Sequence, residues 1–276
     1  MLMNYLYTLN RLHKYPCYTI ELVFDDRKPE IAPGTNVYHV RSSSYMFYKE
    51  SLCRILETKI PKKYKKIAFL DADLLFPDDE WYSKLSAKLD SYDVVQGFEY
   101  AHWLDLTYKH VTLTRESAVK STTETFSHLY HPGFVWGFRR DWYNRVGFFD
   151  LALSGSGDTL SVAGWMKQKL PKNAHSLPHS LRREYDAFCK MHRPKISYLK
   201  NVHVFHLYHG SRANRQYVDR HAILNVDYDI RQMISKNKSG VYEWLWSFVN
   251  KEMLSYFIAR DDDGVEVVKE TTALAS

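Results

Sequence analysis

The sequence predicts an α/β fold, an open and mostly parallel sheet flanked by helices and followed by a C-terminal helical extension. Two observations carry this. Strand-like and helix-like segments alternate through the first hundred residues at the spacing of βαβ units. The run "KIAFLDA" (66–72) is continuously apolar, as in a strand buried on both faces of a parallel sheet.

The elements follow in order. Leu2, Tyr5, Leu6, Leu9 and Leu12 fall at helical spacing, which predicts an amphipathic helix over 2–14. "CYTIELVF" (17–24) and "NVYHVR" (36–41) read as strands, and "FYKESLCRILETKI" (47–60) as a helix stopped by Pro61. The 66–72 strand comes next, then a helix from about Asp79 to Leu89 capped by the acids of "PDDE", then the strand "YDVVQGF" (92–98). Loops are expected from Ala101 to about Pro132, a helix from Thr159 to Lys169, and basic, proline-punctuated sequence from Pro171 to Lys200. Helical segments follow Asp219. The division expected is one domain over 1–220, an extension of it over 221–260, and a disordered acidic tail over 261–276.

Composition narrows the function classes. The formal net charge is +6, which mildly favours phosphate-bearing partners. Tyr, Phe and Trp make up 15% of the chain, enough to supply both a core and flat surfaces for sugars or bases. Three cysteines at unrelated spacings make neither a zinc knuckle nor a disulfide framework, so a reducing, cytoplasmic setting is expected. No stretch has the length and apolarity of a transmembrane segment, and no secretory signal peptide is legible. Phosphate-binding loops of the GxxxxGK[ST] type and serine-hydrolase elbows are absent.

Four groups of residues carry chemistry. Asp71 and Asp73 close the apolar 66–72 strand two residues apart; if the backbone stays extended they point the same way, and a hard divalent cation, Mn²⁺ or Mg²⁺, is the natural partner for them. In "HPGFVWGFRRDWYNRVGFFD" (131–150), Gly133 and Gly137 permit close backbone approach, while Trp136 and Phe138 offer flat surface. "SGSGD" (154–158) presents Asp158 either as a general base for a hydroxyl or as a helix cap. In "VHVFHLYHGSRANRQYVDRH" (202–221), His203, His206 and His209 recur every third residue. In an extended chain they cannot all share one face, so one imidazole is expected to join the acids, with Arg212 and Arg215 available to phosphate.

In this order the blocks "IELVFDDRKPEI", "YKESL", "IAFLDADLLF", "YDVVQGF", 131–150, "SGSGD" and "HLYHGSRANRQYVDRHAIL" resemble the GT-A fold, nucleotide-sugar-dependent glycosyltransferases, over about Thr19 to Trp246. The similarity is to uncharacterised members from bacteria, phages and large DNA viruses and, in 132–158 and 209–212, to β-1,4-galactosyltransferases. The resemblance implies a GT-A-like sheet and a UDP-sugar donor bound with Mn²⁺ or Mg²⁺. It implies Asp73 as a direct metal ligand, with Asp71 nearer the ribose and a metal water. It also implies His209, or else His206, as the metal's histidine, and Asp158 as catalytic base of an inverting transfer. Lys49 and Arg212 would then lie near the donor phosphates, and Trp136 and Gly133 at the acceptor. One acid of the galactosyltransferase pattern is replaced by Gly157. The resemblance implies a first strand ahead of the opening helix, expected either upstream of Met1 or replaced by a neighbouring element. The acceptor expected is a glycan hydroxyl. A hydroxylated base in DNA is the alternative, with Arg182, Arg183, Lys190, Arg193, Lys195 and Lys200 along the duplex. A degenerate, catalytically weak glycan- or nucleotide-binding protein of the same fold is the non-enzymatic alternative.

Overall fold

The computed structural model describes residues 2–170, 177–210 and 219–260. Its elements in chain order are α1 (Leu2–Arg11), β1 (Thr19–Phe24), β2 (Val37–Ser42), α2 (Lys49–Lys59), β3 (Lys66–Leu70), β4 (Leu74–Leu75), α3 (Trp81–Lys88) and β5 (Val94–Gln96). Then come β6 (Tyr100–Leu104), β7 (Val111–Ser117), β8 (Tyr130–His131), β9 (Val135–Arg139), α4 (Arg140–Arg145), α5 (Gly157–Met166), α6 (Arg182–Cys189) and β10 (Ile196–Tyr198). The last are β11 (His203–His206), α7 (Ile230–Met233), β12 (Ile234–Lys236), β13 (Tyr242–Trp244) and α8 (Ser247–Arg260).

The protein is α/β, and its sheets are mixed. β1 and β2 pair in parallel. A four-stranded sheet runs β10-β5-β9-β3, and in it β9 lies antiparallel to both neighbours. A five-stranded sheet runs β4-β11-β6-β7-β8. The expected mostly parallel arrangement is therefore corrected. β9 comes from the Gly/aromatic block and inserts between β5 and β3, a placement that no local pattern specifies. The expected loop region after Ala101 also contains strands: β6 and β7 form an antiparallel hairpin with a register shift between Trp103 and Leu104. Much of β7 is exposed, so it lacks the apolar run that marks a buried strand. The C-terminal segment adds the hairpin β12–β13 to the expected helices.

Two apolar clusters hold the elements. The larger joins β3, β9, α4 and α5 and takes in Val241, Tyr242, Val249 and Met253, so the chain beyond residue 220 packs into the same core as the chain before it. The smaller lies under α3, with Leu74, Trp81, Leu85 and Val204. Gly137 on β9 lets the Leu85 side chain of α3 pack close: a Cβ there would lie 2.7 Å from Leu85 Cδ1. Trp136 is 1% exposed, stands edge-on to Trp165 and donates its indole N–H to the Pro132 carbonyl at 2.9 Å. It is a core residue and offers no stacking face to a sugar, which corrects the expectation for it.

Among the described residues β1 and β3 each pair with one strand only. They are not joined to each other; residues of both line a common cleft of about 950 Å³. The candidate site occupies part of its wall. No helix among the described residues is long and apolar enough to cross a membrane.

Candidate active site

Backbone pairing builds the first half of the site. β3 ends at Leu70, the chain turns through Asp71 and Ala72, and β4 begins at Leu74. β4 pairs antiparallel with β11 so that Leu74 sits opposite His206, and Leu207 N–H donates to the Asp73 carbonyl at 2.9 Å. That register carries Asp73 to the two histidines. Asp73 Oδ2 is 2.9 Å from His209 Nε2 and 3.4 Å from His206 Nε2, and the imidazole nitrogens are 3.1 Å apart. All three side chains are buried. Burial alone would raise the Asp73 carboxyl, but the two imidazoles outweigh it and hold the group well below the usual carboxylate range. Phe134 stacks on His206 with ring centres 5.0 Å apart. It does so from a backbone φ of +77°, strained for a bulky residue.

This trio can hold a metal ion: one ligand atom from each of Asp73, His206 and His209 lies within 4.8 Å of the others. Asp73 Oδ1 is buried without a hydrogen-bond partner, an orphan that a cation would satisfy. Two imidazoles with one carboxylate suit Mn²⁺ better than Mg²⁺, which prefers oxygen ligands throughout. His203, the third histidine of the run, points elsewhere and meets His102 at 2.9 Å.

The two acids of the Asp-Ala-Asp run part company. Asp71 is outside the metal-competent trio and pairs with Lys49 Nζ at 2.7 Å. The turn after β3, in place of an extended backbone, takes Asp73 to the histidines and Asp71 to Lys49, which corrects the expectation that both point one way. Lys49, in the first turn of α2, also pairs with Asp158 Oδ2 at 2.9 Å. Burial would lower the Lys49 ammonium, but the surrounding carboxylates outweigh it and hold it well above its ordinary value. The Asp71 carboxyl is raised as well: burial, with the charges of Asp158 and Asp73, outweighs the pull of Lys49.

Asp158 stands in the first turn of α5, behind the N-cap residue Ser156, so it is not the helix cap. Its Oδ1 is buried and has no hydrogen-bond partner. The loop before it is fastened from behind: Ser154 and Ser156 hydroxyls meet the two ring nitrogens of His221 at 2.8 and 3.0 Å, and Gly155, at φ +100°, lies against the Arg220 guanidinium. Gly133 borders the same carboxylate. A Cβ on it would lie 2.9 Å from Asp158 Oδ2 and 3.1 Å from His131 Nε2, so this glycine lets the 132–134 loop close over the acid.

The structure thus brings Lys49, Asp71, Asp73, Asp158, His206 and His209 to one cleft, with Gly133 behind Asp158. Arg212 and Arg215 lie outside the described residues. None of the six basic residues expected along a DNA duplex lines the cleft, and Arg183 is paired with Glu184 and Asp229. The sequence reading missed His131, Arg220, His221 and Glu50. Glu50 adjoins Lys49 in "YKESL", and that adjacency was the available signal. No protein-family profile, curated protein or solved structure matches this chain.

Proposed function

We propose that the protein is a metal-dependent glycosyltransferase of GT-A-like architecture that moves a sugar from a UDP-sugar to a hydroxyl, with inversion. The observation that carries this reading is the juxtaposition, in one cleft, of a buried Asp73–His206–His209 group and an Asp158–Lys49–Asp71 chain of ion pairs. A divalent ion held by Asp73, His206 and His209 would supply positive charge for a diphosphate leaving group.

The chain's own groups account for the rest. The acceptor oxygen attacks the anomeric carbon, the bond from that carbon to the donor phosphate breaks, and the hydroxyl proton passes to the Asp158 carboxylate. Lys49 keeps Asp158 and Asp71 in place before substrate arrives, and its ammonium supplies charge for a phosphate once the cleft is filled. Gly133 lets the 132–134 loop pack against Asp158 and hold its carboxylate in place. A glycan is favoured over DNA as acceptor because the basic residues expected to follow a duplex are absent from the cleft wall.

The test is UDP release across common UDP-sugars with Mn²⁺, comparing wild type with Asp73→Ala and Asp158→Asn. Asp73→Ala is expected to abolish metal-dependent UDP binding. Asp158→Asn is expected to bind UDP and to fail at transfer. Wild-type release by both variants would overturn the assignment. UDP binding without turnover in wild type would favour a nucleotide-binding protein of the same fold.

A further inference from the structure

Glu50 is the buried acid that the proposed reaction leaves unused. It stands in the first turn of α2, 5% exposed, and lines the same cleft as Asp158. Its carboxyl fills the space beside the Gly157 backbone: a Cβ at 157 would fall 2.5 Å or less from the carboxyl carbon and both oxygens. Glycine at 157 therefore admits an acid from a different helix to the position next to Asp158.

Three carboxyl groups, Glu50, Asp71 and Asp158, surround the single ammonium of Lys49. Lys49 is within ion-pair distance of Asp71 and Asp158. Among the described residues Glu50 has neither an ion pair nor a hydrogen bond from another side chain, and the donor it does have is its own backbone N–H. A buried carboxyl in that state costs free energy unless something supplies donors to it. A packing role would be met at lower cost by an apolar residue of similar volume. Sugars carry hydroxyl donors on adjacent carbons, and two neighbouring carboxyl groups accept from two of them.

We propose that Glu50 is an acceptor-binding residue, taking a sugar hydroxyl next to the one that faces Asp158, and that Gly157 is glycine to make room for it. The proposal rests on the glycosyltransferase reading and adds the acceptor class, a sugar with adjacent free hydroxyls.

The experiment uses the full chain with Mn²⁺ and UDP-sugar, and a panel of p-nitrophenyl glycosides as acceptors. Assayed above about pH 8, where the Glu50 carboxyl is ionised, Glu50→Gln is expected to raise the acceptor KM by about tenfold or more, the loss of a hydrogen bond to a charged group, while calorimetry shows UDP and Mn²⁺ binding as in wild type. Gly157→Glu alone is expected to lower Tm by about 5 °C or more through the clash with Glu50. The pair Glu50→Ala with Gly157→Glu, which moves the acid from α2 to α5, should regain the Tm and a wild-type acceptor KM. An unmoved acceptor KM in Glu50→Gln would overturn the proposal. So would a folded exchange variant that fails to recover, or a wild type that binds UDP with Mn²⁺ yet transfers to none of the glycosides. Absence of metal-dependent UDP binding in wild type would instead remove the reading beneath it.

Discussion

His209 Nε2 lies 2.9 Å from Asp73 Oδ2, although 136 positions separate the two residues. The contact exists because β4, immediately after Asp73, pairs with β11, immediately before the loop that carries His209. Added Mn²⁺ should stabilise the fold by mass action, about 2.7 kcal/mol at a hundredfold excess over Kd. A thermal melt with and without Mn²⁺ reads this as a rise in Tm. Asp73→Ala and His209→Ala should lose the rise.

Glu50 gives a signed pH dependence. Burial first, then the Asp158 charge, push its carboxyl from the ordinary 4.5 up to about 8, against Lys49. The folded chain keeps this proton while the unfolded chain releases it. The contribution of Glu50 to stability is therefore greatest below about 4.5 and is lost as pH rises towards 8. In denaturant titrations, wild type should weaken relative to Glu50→Gln between pH 5 and pH 8. A constant difference across that range would mean that Lys49 keeps Glu50 ionised.

Gly133 should tolerate little. In Gly133→Ala the new methyl meets Asp158 Oδ2 at 2.9 Å, and either the loop or the carboxylate has to shift. Transfer should fall by about tenfold or more, since small displacements of a reacting group are costly. UDP binding with Mn²⁺ should persist. Equal loss of binding and transfer would point to a wider collapse of the loop.

Trp136 should behave as a core residue. Trp136→Ala is expected to cost about 3–5 kcal/mol in unfolding free energy, read by denaturant titration. A stacking residue at a sugar site would instead raise the acceptor KM with stability unchanged.

Arg140 and Glu57 form a buried pair at 2.5 Å, with the guanidinium also donating to the carbonyls of Glu57, Ile60 and Pro61. Arg140→Ala strands a buried carboxylate and should cost about 3–5 kcal/mol. Removing both members, as Glu57→Gln with Arg140→Met, should cost less than the single change. Additive losses would deny the coupling.

Several elements were legible because their signals are local. The amphipathic spacing of α1, the apolar run of β3 and Pro61 after α2 mark their elements within two or three residues of the observed ends. β7 was not legible, because a half-exposed hairpin strand carries no apolar run. Nor was β9, whose antiparallel insertion between β5 and β3 depends on partners far along the chain.

The same division runs through the site. By itself the sequence determined the candidates: acids at the end of a buried strand, an acid behind a Gly-Ser loop, and histidines three residues apart. It also determined that an extended backbone keeps His203 off the face of His206. Only the tertiary structure decided which of them meet. The turn after β3 sends Asp73 to the histidines and Asp71 to Lys49, α2 brings Glu50 against Gly157, and core packing takes Trp136 out of reach. Local pattern determines which residues can do chemistry. Strand register and helix packing, set by contacts between residues distant in sequence, determine which of them share one cleft.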